Sequence, residues 1–189
     1  NGAIAQEECI CRCSSLYVNL IQENLIEDFY KIHEQEYRKG NLPYGSNDDC
    51  IYTPNVAVFK SDEEFPELLP EEEWMYVDVI TCAAPCLIGC SILEDKLRKI
   101  HRNRIRRILN IAKSEGEEVL ILGAFGCGAF QNPVEIVAEE MVRAVKDYQN
   151  YFAEIIVDEY QDSNLVQEYL LKSISKESTG KNNRFMVGD

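Results

Sequence analysis

The stretch Val119-Leu-Ile-Leu-Gly-Ala-Phe-Gly-Cys-Gly-Ala-Phe-Gln-Asn-Pro133 decides the fold class. Val119 to Leu122 is a short apolar run, of the kind shown by a strand buried on both faces. Gly123, Gly126 and Gly128 follow, and Asn132-Pro133 opens a helical pattern that runs to about Tyr148. Strand, glycine-rich turn and helix start together point backbone N–H groups at an anion, and the helix dipole adds to the attraction. Glycine tolerates positive φ and admits a ligand close to the backbone. The spacing fits neither the dinucleotide-binding fingerprint nor a Walker A loop, and no lysine follows the last glycine. On these residues alone, a phosphate cradle and a merely tight strand-to-helix connection stand as equals.

Outward from this stretch, the chain alternates strands and helices. Toward the N-terminus, Ser91 to Ser114 reads as a long basic helix with Ile92, Leu97, Ile100, Ile105, Ile108 and Leu109 along one side. In so acidic a chain, its lysines and arginines are expected to form a solvated face rather than a nucleic-acid surface. Trp74 to Cys82 is strand-like and ends at Ala83-Ala-Pro85, while Ile51 to Lys60 reads as an edge strand interrupted at Pro54. Gly40 to Asp49 is loop chemistry throughout. Apolar residues at helical spacing predict one helix over about Ala5 to Asn24 and a second over Leu25 to Tyr37. Toward the C-terminus, Phe152 to Val157 reads as a strand, Ser163 to Ser173 as a helix and Arg184 to Val187 as a strand start. Such alternation predicts α/β architecture with a mainly parallel, buried sheet.

The net charge of −14 disfavours general attraction to nucleic acid or to an anionic membrane. No apolar run approaches the length of a membrane-spanning helix, and no signal peptide is visible. Because it begins at Asn1 without Met and stops at Asp189 in mid-pattern, the sequence reads as an excerpt. The eight cysteines form no close pair of the C-x-x-C type, and the histidines are His33 and His101 alone. Structural zinc wants close Cys/His pairs, so reduced cytoplasmic thiols are expected, with no metal and no cofactor.

Three pieces then carry a family resemblance. Ala5-Gln-Glu-Glu8 runs into Cys11-Arg12 and Ser14-Ser-Leu-Tyr17; Val79-Ile-Thr-Cys-Ala-Ala-Pro85 follows; Leu122-Gly-Ala-Phe-Gly-Cys-Gly-Ala-Phe130 completes the set. In this order, residues 1–150 resemble the microbial-type poly(ADP-ribose) glycohydrolase domain of bacteria, a member of the macrodomain fold. The resemblance implies a macrodomain-like three-layer α/β/α arrangement with a mostly parallel mixed sheet, truncated at the N-terminus. The family's Gly-Gly-Gly run and first strand would lie before Asn1.

The implied roles follow position by position. Glu8 would be the acid/base that protonates the departing ribose oxygen and then activates water. Glu7 would hold the ribose hydroxyls and Gln6 would support the loop. Gly126, Cys127, Gly128 and Ala129 would wrap the diphosphate, with Phe130 against the terminal ribose. A carboxylic acid beside a second carboxylate can have its pKa raised enough to supply such a proton. The implied partner is ADP-ribose, as poly(ADP-ribose) or on a modified protein, and the implied state is a cytoplasmic monomer. A non-catalytic ADP-ribose binding module is one alternative; a fragment of an ATP-dependent DNA helicase/nuclease subunit, resting on the residues at the end of the chain, is the other. Cys86 stands where the family favours a polar residue, and Gln131 where glycine is frequent.

A different likeness occupies the end of the chain. Glu154-Ile-Ile-Val-Asp-Glu-Tyr-Gln-Asp162 and Arg184-Phe-Met-Val-Gly-Asp189 are similar to a UvrD-like helicase of the helicase–nuclease type. That resemblance implies Mg²⁺ binding by Asp158, polarisation of water by Glu159 and coupling by Gln161. It divides the chain into a glycohydrolase part, 1–153, and a Walker B fragment, 154–189. With no Walker A loop to hold a nucleotide's β- and γ-phosphates, the fragment is expected to be inert.

Overall fold

The computed structural model describes residues 6–61, 63, 65–148, 150–157 and 184–186. The chain divides into two compact units, Asn1–Cys82 and Ala83–Asp189.

The first unit opens with α1 (Gln6–Cys13) and α2 (Leu16–Leu20). The single helix expected over 5–24 is therefore broken, and Ser14 breaks it. Its Oγ donates to the Ile10 carbonyl at 2.6 Å and accepts the Leu16 N–H at 3.1 Å. A serine hydroxyl that bonds local backbone in this way competes with the helical ladder. The freed segment pairs instead with strand β1 (Ile51–Val58): Ser14 bridges Val58, and the Ser15 N–H donates to the Ala57 carbonyl at 2.9 Å. The next helical stretch is α3 (Glu23–Leu25), a π-turn (Ile26–Tyr30) and α4 (Lys31–Arg38), so the expected helix over 25–37 carries an extra residue in its middle.

Strand β1 pairs antiparallel with β2 (Met75–Thr81), from Ile51 opposite Thr81 to Val58 opposite Met75. Pro54 does not end β1; the register shifts between Thr53 and Val56. Asn55 adopts φ +54°, and its N–H donates to Asp78 Oδ1 at 2.9 Å, while the Tyr52 hydroxyl donates to Asp78 Oδ2. Asp78 thus satisfies the backbone that the bulge releases from the ladder. Leu16, Leu20, Ile51 and Val56 form the buried cluster, with Ile10, Leu25, Phe29 and Val79 against it. Full burial of one such leucine contributes about 1.5–3 kcal/mol.

The second unit holds α5 (Glu94–Glu115), β3 (Val119–Leu122), α6 (Val134–Lys146), β4 (Glu154–Val157) and β5 (Arg184–Met186). The strands form a parallel sheet in the order β3-β4-β5, with Val119 opposite Glu154 and Ile155 opposite Arg184. Parallel strands need a crossover connection, and α6 supplies the one from β3 to β4. The α/β class and the parallel pairing expected from the alternation are present here, beside an antiparallel pair in the first unit. β4 and β5, at the two ends of the segment expected to be a Walker B fragment, continue the sheet that β3 begins.

Two expectations need correction. Strand β3 is not buried on both faces: Leu120 and Leu122 are buried, whereas Val119 and Ile121 are 47% and 60% exposed. A four-residue apolar run has no polar positions to betray alternation, so its period cannot be read from the sequence. Nor is the basic side of α5 a merely solvated face. Arg98 donates to Glu139 at 2.6 Å, Arg102 grips Glu140 with two bonds at 2.7 and 3.0 Å, and Arg106 reaches Asp147. Arginine suits this because its fork meets a carboxylate through two parallel bonds. Gly116 ends α5 at φ +88°, the left-handed cap that glycine adopts without a Cβ penalty. No helix among the described residues is long and apolar enough to cross a membrane.

Candidate functional site

The glycine stretch folds as a chain of tight turns between β3 and α6. Phe125 N–H donates to the Gly123 carbonyl, Cys127 N–H to Ala124, Gln131 N–H to Gly128 and Asn132 N–H to Gly126, at 2.9–3.1 Å. Among the described residues, the amides of Gly126, Gly128, Ala129 and Phe130 donate to no backbone carbonyl. Unspent N–H groups ahead of a helix N-terminus are what an anion-binding concavity requires.

Gly126 has two independent reasons to be glycine. Its φ is +77°, and a Cβ there would lie 2.4 Å from Ala84 Cβ and 2.6 Å from Asn132 Nδ2. Gly128 differs, because a Cβ on it would meet open space. Gln131 holds φ +59°, the region where glycine is comfortable, which gives a backbone reason for glycine at that position. Phe130 is 36% exposed. Burial, and then the charge of Glu135, push the Cys127 thiol up to about 11. The loop therefore carries a neutral thiol at physiological pH and sets no negative charge against a bound phosphate.

Asn132, buried, ties this loop to its surroundings. Its Nδ2 donates to the Pro85 carbonyl at 2.8 Å and to the Gly126 carbonyl at 2.9 Å. Both amide hydrogens are thereby spent, so Oδ1 faces His101 Nε2 at 2.9 Å and that ring nitrogen must donate. His101 is wholly buried and meets Phe125 edge-on, and its Nδ1 has no hydrogen-bond partner among the described residues. Burial holds the imidazole below its ordinary range; Arg104 adds to this, and the Asn132 bond and Glu140 oppose it. Arg104, also buried, donates to the Ala83 carbonyl at 2.7 Å, and the Leu87 N–H donates to the Phe130 carbonyl at 3.0 Å. The 83–87 segment and the glycine loop are thus clasped at several points.

In the first unit, Gln6 opens α1 and Glu7 and Glu8 fill its first turn. Partial burial, and then the Glu8 charge, push the Glu7 carboxyl above its ordinary range. Glu7 stays exposed in area, so water screens that push. Cys11 is raised by burial and then by Glu7 and Glu8. Tyr30, the last residue of the π-turn, is pushed up to about 12 by burial, then by Glu7 and Cys11. Two carboxyls, a thiol and a phenol therefore act on one another at this end of α1. π-turns recur at functional sites, and this one carries Tyr30.

The expected site residues are accordingly found in two groups, Gln6, Glu7 and Glu8 in the first unit and Gly126, Cys127, Gly128, Ala129 and Phe130 in the second. Asp158, Glu159 and Gln161 lie outside the described residues. None of the eight cysteines forms a disulfide, and no cluster of three or more metal-ligating side chains occurs among the described residues. On sequence alone, Asn132 reads only as a helix opener and His101 is passed over. The available signal was an asparagine directly after a glycine loop, with a lone histidine on a helix otherwise rich in arginine.

Residues 1–61 match the family described as microbial-type poly(ADP-ribose) glycohydrolase, catalytic domain. Among solved structures, the poly(ADP-ribose) glycohydrolase of Thermomonospora curvata is 30% identical, with a TM-score of 0.73 over 91% of this chain and 61% of its own. The poly(ADP-ribose) glycohydrolase of Deinococcus radiodurans in complex with ADP-ribose is 28% identical, with a TM-score of 0.73 over 95% of this chain and 70% of its own. A stretch of 51 residues is 59% identical to one subunit of the ATP-dependent helicase/nuclease of Ruminiclostridium cellulolyticum, covering 25% of this chain and 4% of that protein. The chain thus spans less than two thirds of the Thermomonospora enzyme and a small part of the helicase/nuclease protein. Both resemblances noted in the sequence reappear here, and the fold is the α/β fold of the bacterial poly(ADP-ribose) glycohydrolases.

Proposed function

We propose that the chain binds ADP-ribose and hydrolyses the ribose–ribose O-glycosidic bonds of poly(ADP-ribose). The observation that carries this is the Gly123–Phe130 turn, with its unspent amides, on a fold shared with enzymes of that name. The amides of Gly126, Gly128, Ala129 and Phe130 bind the diphosphate, and the neutral Cys127 spares it a repulsive charge. Phe130, exposed, offers its ring to the terminal ribose.

The chemistry belongs to the carboxyls at the start of α1. As the bond between the anomeric carbon and the bridging oxygen breaks, Glu8 gives its proton to the departing oxygen. The cationic sugar carbon is relieved by the substrate's own phosphates, and Glu8 then takes a proton from the water that attacks. Glu7 holds the ribose hydroxyls, and Gln6 supports the loop. The upward push on Glu7, from burial and then from the Glu8 charge, favours its protonated form. The working state is a monomer in a bacterial cytoplasm, with its thiols reduced.

Incubation of the purified protein with poly(ADP-ribose), followed by chromatography of released ADP-ribose, tests this directly. Turnover is expected, and Glu8→Gln is expected to cut it by roughly 10²–10⁴-fold while leaving ADP-ribose binding intact. Binding without turnover in the unmodified protein would make it an ADP-ribose binding module instead. Absence of both would remove the reading altogether.

A further inference from the structure

We propose that His101 and Asn132 are positioning residues that set the shape of the ligand loop, with His101 acting through Asn132. The inference deepens the proposed function and rests on it in so far as the loop receives ADP-ribose.

One side chain, Asn132, holds two segments at once. Its Nδ2 binds the Pro85 carbonyl of the 83–87 segment and the Gly126 carbonyl of the glycine loop. Its own N–H donates to the same Gly126 carbonyl at 3.1 Å. That carbonyl is therefore turned inward by two donors, which fixes the plane of the peptide that follows and the direction of the Cys127 N–H. Gly126 packs so tightly against Asn132 and Ala84 that a Cβ has no room, so the clasp leaves no slack.

An asparagine amide can rotate by half a turn and exchange its donor for its acceptor. Rotated, Asn132 would aim its oxygen at two carbonyl oxygens and lose both bonds. The two carbonyls disfavour that rotation, and His101, with its proton on Nε2, donates to Oδ1 and adds a third bond that holds the amide in place. The cost is visible on the same ring, where Nδ1 is buried without a partner among the described residues. The arrangement makes sense when the amide orientation, and through it the loop, is what is being secured.

The test uses the full chain with ADP-ribose as the probe. His101→Leu removes the donor at similar volume; His101→Gln places an amide nitrogen where Nε2 stands. Asn132→Asp keeps size but swaps the Nδ2 donor for an acceptor. For His101→Leu and Asn132→Asp, the ADP-ribose Kd is expected to rise roughly tenfold, the scale of one buried hydrogen bond, and amide exchange at Cys127, Gln131 and Asn132 to quicken. KM for the polymer should rise with Kd while kcat changes little, and His101→Gln should restore most of the affinity. Equal losses in His101→Leu and His101→Gln would show that volume, not the donor, matters and would overturn the inference. So would a folded His101→Leu protein with unchanged Kd and unchanged exchange. If the unmodified protein does not bind ADP-ribose, the proposed function fails on its own. Loop exchange in the same three variants then decides the positioning role separately.

Discussion

Arg102 on α5 closes a two-bond fork on Glu140 of α6, at 2.7 and 3.0 Å, and that carboxylate is wholly buried. Burial alone would raise the Glu140 pKa. The Arg102 hydrogen bonds and charge, followed by Arg143 and Arg98, outweigh it and hold the carboxyl below its ordinary range. Neighbouring Glu139 makes a comparable bond to Arg98 but is 58% exposed. The two glutamates are adjacent in sequence and differ in what surrounds them.

Glu140→Ala should therefore lower the urea midpoint more than Glu139→Ala. Removing Glu140 leaves a void and strands Arg102, whereas an exposed ion pair contributes little. Equal midpoints for the two variants would remove the helix-clamp account.

The buried imidazole makes stability depend on pH. His101 is held below its ordinary value of 6.5, first by burial, then by Arg104, with Asn132 and Glu140 pulling the other way. Between the folded value and 6.5 the unfolded chain binds more protons, so stability is complete above about 6.5 and declines as pH falls. Thermal melts at pH 7.5 and 5 should show a smaller loss for His101→Gln than for the unmodified protein. An identical loss in both would mean that His101 does not carry the effect.

The two loop glycines should separate in their behaviour. Gly126→Ala must accommodate a Cβ 2.4 Å from Ala84 at φ +77°, which costs roughly 2–4 kcal/mol from left-handed strain and overpacking. Gly128→Ala meets open space, so its melting temperature should stay close to that of the parent while its ADP-ribose affinity falls. Calorimetric titration and melting curves on both variants check the pair. A Gly128→Ala protein that binds ADP-ribose as before would show that the ligand does not approach this backbone.

Ser14→Ala should destabilise by about 1–2 kcal/mol, because a buried hydroxyl gives one hydrogen bond to Ile10 and receives one from Leu16. Ser14→Thr keeps the hydroxyl and should recover part of that. Denaturant unfolding of the two variants measures it, and equal midpoints would count against the serine as the helix breaker.

Much of this protein was determined by its sequence alone. The turn chemistry of Gly123 to Pro133, the carboxyls opening α1 and the periodicities of α5, α6 and β2 are local properties, and local propensity and pattern settle them. Tertiary structure decided the rest, because each remaining feature depends on a partner far along the chain. Ser14 breaks a helical pattern since Val58 offers an alternative partner for its backbone. The arginines of α5 find carboxylates about forty residues away on α6, which no composition count distinguishes from a solvated face. His101 and Asn132 share a hydrogen bond across 31 positions, and Gly126 is held to glycine by the closeness of Ala84 and Asn132 as well as by its own φ. Hydrogen bonding and burial are pairwise quantities, and a sequence states only one member of each pair at a time.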